Sequence, residues 1–202
     1  MTDGDRRQAL AEMREKLELL RRVEEKHGFG VIIEEPRELH PVPGVPAAVT
    51  EVFSLFSRLE GTYFCFEQPE EIVSRSAWLD RWNDPRCPLV NSLVIGDDRH
   101  DVPLDLRKEG RGGVPIRFDL EDGSIFYCDP DDYVFFYEHP FEEVEVEELA
   151  PDIVTFFNAS VLGDGYPELV KEFMGEDALT RRDRKGRLRD SWTRLLTESG
   201  LL

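Results

Sequence analysis

Over residues 5–26 the apolar positions Leu10, Met13, Leu17, Leu20 and Val23 recur at helical spacing, and Arg14, Glu15, Glu18 and Arg21 fill the other side. The pattern predicts an amphipathic helix packed on the body, capped by Asp3 or Asp5 and closed by Gly28. Its heptad is too short to argue for a coiled coil. Residues 29–33 are apolar and β-branched. Residues 34–46 then hold four prolines and one glycine, which predicts an extended connector. Pro46 opens a second helix striped by Val49, Val52, Phe53, Phe56 and Leu59 and closed at Gly61. A short aromatic strand over 62–66 and a tryptophan-bearing helix over 69–82 follow.

The period changes to two from Leu93 onwards. Leu93-Val94-Ile95 predicts a strand, Gly96-Asp97-Asp98 a polar turn, and residues 102–107 a second strand with Val102, Leu104 and Leu106 on one face. Alternating segments at 114–120 and 124–128 are joined by Glu121-Asp122-Gly123, and another begins at Tyr133. The stretch predicts an antiparallel meander, with the aromatic run Tyr133, Phe135 and Tyr137 as a strand covered by helices. Beyond His139-Pro140 the periodicity returns to helical: Ile153, Phe156, Phe157 and Val161 predict a helix from 151 to near Gly163, then a short one over 166–174. Leu188, Trp192, Leu195 and Leu196 predict an amphipathic terminal helix behind an arginine-rich stretch. Helices, then a meander, then helices is an α+β pattern. It divides as an N-terminal helical extension (1–32), an α+β domain (33–163) and a C-terminal helical extension (164–202).

Composition sharpens this frame. With 43 acidic against 25 basic residues in 202, the formal charge is -18. Nonspecific attraction to nucleic acid or to an anionic membrane is disfavoured, whereas a basic protein partner is attracted and steered. The plainer reading is an acidic surface that only keeps the chain dispersed. No apolar run spans a membrane and the N-terminus carries no signal core. Cys65, Cys87 and Cys128 have no paired spacing, which predicts free thiols in a reducing compartment and a cytoplasmic protein.

Candidate chemistry is sparse. Asp97, Asp98, His100, Asp101 and Asp105 fall within nine residues and offer oxygen and imidazole ligands, but their spacing matches neither a calcium loop nor a zinc motif. A polar hairpin loop explains them without a metal. There is no nucleophile elbow and no P-loop, and the glycines at 110, 112 and 113 precede a strand where a phosphate cradle needs a helix. The four histidines are scattered through turns and element ends. No catalytic residue, metal ligand or cofactor is therefore expected. The dense acidic run from Glu142 to Glu148 is either a solvated edge or a patch for a cationic partner.

The order of these segments, with Gly61-Thr62-Tyr63-Phe64, Leu93-Val94-Ile95-Gly96-Asp97-Asp98, Asp101-Val102-Pro103-Leu104-Asp105-Leu106 and a closing Phe156-Phe157 helix, resembles the SMI1/KNR4 (SUKH) superfamily. Arg99 and His100 stand where many members have glycines, and the two phenylalanines are adjacent instead of spaced. The resemblance implies binding in place of catalysis: bacterial members are mostly immunity proteins that neutralise toxins, often nucleases, and fungal members are regulatory scaffolds. Combined with the charge, it points to a non-catalytic acidic module that occludes a basic toxin domain. The nominated partner-binding residues are acids expected to be exposed in loops: Asp97, Asp98, Asp101, Asp122, Asp129, Asp131, Asp132, Glu142, Glu143 and Glu145. The alternatives are a scaffold acting through the terminal helices, with a homodimer through the first, and a metal-dependent enzyme using the Asp97 to Asp105 cluster.

Overall fold

The computed structural model describes residues 2–66, 89, 91–99, 113–127 and 146–202. The helix expected over 69–82, the strand over 102–107, the aromatic strand from Tyr133, and Cys87, Cys128, His100 and His139 lie outside the described residues.

The first helix, α1 (Asp3–His27), begins two residues earlier than expected because Thr2 supplies the cap. The Thr2 hydroxyl accepts from the Asp5 N–H, and the Asp5 carboxylate accepts from the Thr2 N–H at 3.1 Å, a reciprocal box that places Asp5 inside the helix and not at its cap. Gly28 closes the other end with a positive φ of 64°. Met13, Leu17 and Leu20 are completely buried. Arg21 donates to the carbonyl oxygens of Ile33 (3.2 Å), Glu34 (2.9 Å) and Leu55 (2.9 Å), so α1 is tied to β1 (Ile32–Ile33) and to the turn after α2 (Ala47–Phe53).

The remaining strands are β2 (Leu59–Glu60), β3 (Phe64–Phe66), β4 (Ser92–Asp98), β5 (Pro115–Asp119), β6 (Ile125–Tyr127) and β7 (Glu147–Ala150). Seven described strands form one antiparallel sheet in sequence order, the meander predicted from the alternating pattern. Leu59, expected at the end of the second helix, instead begins the pairing with Phe66 across β2 and β3. β5 and β6 are joined at Glu121-Asp122-Gly123 as expected, with Leu93, Phe118 and Ile125 in register on one face. Val94, Arg117 and Phe126 are in register on the other face and are also buried, so this sheet is shielded on both sides.

After β7 the chain forms α3 (Ile153–Thr155), capped by the Asp152 carboxylate, and runs directly into a π-helical turn, Phe156–Val161. The wider winding, with the Leu162 N–H reaching back to the Phe157 carbonyl at 2.8 Å, lets two adjacent phenylalanines both enter the core. Phe156 meets Phe66 edge-on, and Phe157 packs among Phe53, Phe56 and Phe66. The last helices are α4 (Tyr166–Met174), as predicted, and α5 (Ser191–Ser199). The arginine-rich stretch before α5 is a small hairpin closed by pairing of Arg182 with Leu188. Trp192 lies edge-on to Phe64 and donates its indole N–H to the Val161 carbonyl at 2.8 Å. Residues from α1, the sheet, α3 and α5 belong to one continuous apolar core, so the two terminal segments share the interior of the middle one.

Candidate functional site

The acids singled out in the sequence divide into buried and exposed groups. The turn expected at Gly96-Asp97-Asp98 is a continuous part of β4: Gly96, Asp97 and Asp98 pair with Phe66, Cys65 and Phe64 of β3. Gly96 is required there by close approach, since a Cβ would come within 2.6 Å of the Cys65 carbonyl oxygen. The exposed-turn expectation for these two aspartates is therefore corrected: Asp97 is 2% exposed and Asp98 is fully buried. A bulge between Val94 and Gly96 decides which carboxylate turns inward. Ahead of it Leu93 and Ile95 face the core; after it the phase moves by one residue, and Asp98 takes the core side.

The buried Asp98 carboxylate accepts from the Tyr127 hydroxyl at 2.5 Å and from the Val114 N–H at 3.0 Å. Any side chain on Gly113 would overlap it. Successive strand residues point to opposite faces, so Asp97 and Asp98 do not converge on one ion. Of the remaining proposed metal ligands, His100, Asp101 and Asp105 lie outside the described residues. Among the described residues no three His, Cys, Asp or Glu side chains converge in a way that would hold a metal. Cys65, at the middle of β3, is half-buried.

Asp122 is exposed in the β5–β6 turn, where its carboxylate accepts from the Ser124 N–H at 2.8 Å. That backbone hydrogen bond, with the Ser124 hydroxyl, holds it below the usual aspartate range. Asp101, Asp129, Asp131, Asp132, Glu142, Glu143 and Glu145 lie outside the described residues.

A different set of acidic residues lines a groove of about 200 Å³ between β7, the π-helical turn and α4. Glu147 and Glu148 come from β7, the described end of the dense acidic run, while Glu168 and Glu172 come from α4. The two α4 glutamates are one helical turn apart and share a face. Leu149, Leu169, Ser160 and Gly165 complete the lining. Gly165 holds α4 close to the π-helical turn, its N–H donating to the Ala159 carbonyl at 3.0 Å. Lys171 lies 3.5 Å from Glu168, whose side chain is still 76% exposed. Acceptors above a partly apolar floor suit a lysine or arginine side chain, whose stem is apolar and whose head is charged.

Glu168 and Glu172 were not nominated from the sequence. Their spacing is visible there, but their proximity to Glu147 and Glu148 is not, because the β7–α4 approach depends on the intervening π-helical turn. No helix of the described residues is long and apolar enough to cross a membrane. Neither a family model, a curated protein nor a solved structure matches the chain.

Proposed function

We propose that this chain is a non-catalytic acidic binding protein, an immunity protein of SUKH type that neutralises a basic toxin domain. The observation that supports the binding reading is a groove lined by Glu147, Glu148, Glu168 and Glu172, from segments about twenty residues apart. The overall charge of -18 would steer a cationic partner towards the molecule, and the groove would give its lysines or arginines a seat. The resemblance noted in the sequence supplies the partner class. Asp97 and Asp98 leave the proposed binding set because they are buried; exposed Asp122 remains in it.

The scaffold alternative draws less support. It requires terminal helices free to recruit other proteins, yet Met13, Leu17 and Leu20 of α1 and Trp192, Leu195 and Leu196 of α5 are spent on the core. Removing either helix would expose that core.

The test is a pull-down with the full chain as bait, from lysate containing the products of its adjacent genes, followed by calorimetry at low and high salt on any basic protein retained; recovery of no basic protein would count against the reading. Glu168→Lys with Glu172→Lys, both on the solvent side of α4, should weaken binding at least about tenfold and flatten its salt dependence. Unchanged, salt-insensitive affinity in the double variant would remove the groove from the interface.

A further inference from the structure

A second cavity, of about 390 Å³, shares no residue with the acidic groove and has the opposite character. It lies where the end of α1 meets α5 and the hairpin before it, lined by His27, Phe29, Arg187, Leu188, Arg194 and Glu198 among others. Its central feature is Arg194. Glu198 stands four residues further along the same helix, a spacing at which arginine and glutamate ordinarily pair. Here the Glu198 carboxylate lies instead 3.4 Å from the His27 ring nitrogen. Arg194 turns over the Phe29 ring, its guanidinium carbon 5.3 Å from the ring centre, and reaches the Phe29 carbonyl only at 3.5 Å. Its Nε–H is shielded from solvent and meets no acceptor among the described residues.

In a chain with so large an excess of carboxylates, a half-buried guanidinium without one is costly to keep. Five N–H donors arranged as a rigid fork are suited to one planar oxyanion. The walls define the remainder of the ligand. Phe29 and Leu188 offer apolar surface, and the Phe29 ring is already stacked on His27 at 5.7 Å. Arg187 is held by Asp183 at 2.7 Å, so it adds little free positive charge. Glu198 and Asp183 together disfavour a polyanion.

We propose that this cavity binds a small monocarboxylate with an apolar body, the carboxylate accepting from the terminal Nη–H groups of Arg194 and the body lying against Phe29 and Leu188. The inference is independent of the acidic groove and of the toxin-binding reading.

Benzoate is the probe, benzamide its neutral counterpart and inorganic phosphate the more highly charged one. Each is titrated into the ¹⁵N-labelled full chain while the Arg194 Nε–H and the Phe29 and Thr197 amides are followed by NMR. Benzoate should give saturable shifts at these positions, with a dissociation constant on the order of 1 mM. Benzamide and phosphate should bind at least about tenfold more weakly, and Arg194→Gln should weaken benzoate by a similar factor with the fold retained. If Arg194→Gln does not fold, Arg194→Lys makes the comparison, keeping the charge but losing the fork, and should weaken benzoate severalfold. Equal binding of benzoate and benzamide, unaltered benzoate binding in the folded variant, or no saturable shift well above the millimolar range would each overturn the proposal.

Discussion

Replacing Tyr127 by phenylalanine tests whether Asp98 is an internal carboxylate or a surface one. The substitution removes one hydroxyl and leaves the ring, which packs on Phe173 with centroids 4.8 Å apart, so no cavity is created. The lost interaction is a 2.5 Å hydrogen bond to a carboxylate, with Tyr127 1% exposed and Asp98 fully buried. Hydrogen bonds to charged groups contribute about 1.5–3 kcal/mol, and the upper half applies because both partners are shielded from water. We expect a loss of about 2–3 kcal/mol in urea unfolding with an unchanged m-value. At roughly 2–4 °C per kcal/mol for a chain of this size, the melting temperature falls by about 4–12 °C. Combination with Asp98→Asn should be clearly non-additive, because the two residues share the bond. A loss below about 0.5 kcal/mol would refute the reasoning, because that is the size of an ordinary surface substitution. Asp98 would then return to the partner-facing acids.

Substitutions at two further positions test the packing of the terminal segments. Arg21→Met removes donors from three carbonyls and should cost about 2–4 kcal/mol by chemical denaturation, and Arg21→Lys should recover less than half, since one ammonium cannot span the same three oxygens. Asp190 caps α5 through the Trp192 N–H and the Thr193 hydroxyl while 3% exposed, and burial raises its carboxyl above the ordinary aspartate range against those hydrogen bonds. A raised folded-state pKa means that its contribution is fully present below the unfolded aspartate value and is lost as pH rises through the folded one. Asp190→Asn keeps the cap without the charge, so stability measured across that window should fall less with rising pH than in the parent, whereas Asp190→Ala should lose about 1–2 kcal/mol of capping. A parent and Asn variant with parallel pH profiles would count against the buried charge.

Local architecture is legible in the hydrophobic pattern at several elements. The stripe Met13, Leu17 and Leu20 specified α1, and the alternation around Glu121-Asp122-Gly123 specified the β5–β6 hairpin. These patterns are legible because one face of each element must leave water, whatever it packs against. Four features depend on how the elements pack. The bulge in β4 moved the pleat by one residue, so that an aspartate which looks like a turn residue faces the core and meets Tyr127, twenty-nine positions away. The core closed around two adjacent phenylalanines by widening a helical turn, where simple periodicity predicts an ordinary α-helix. The acidic groove and the arginine cavity each join segments whose separation along the chain says nothing about their distance in space. Periodicity reports which residues leave water; which polar groups meet there depends on how the elements are brought together.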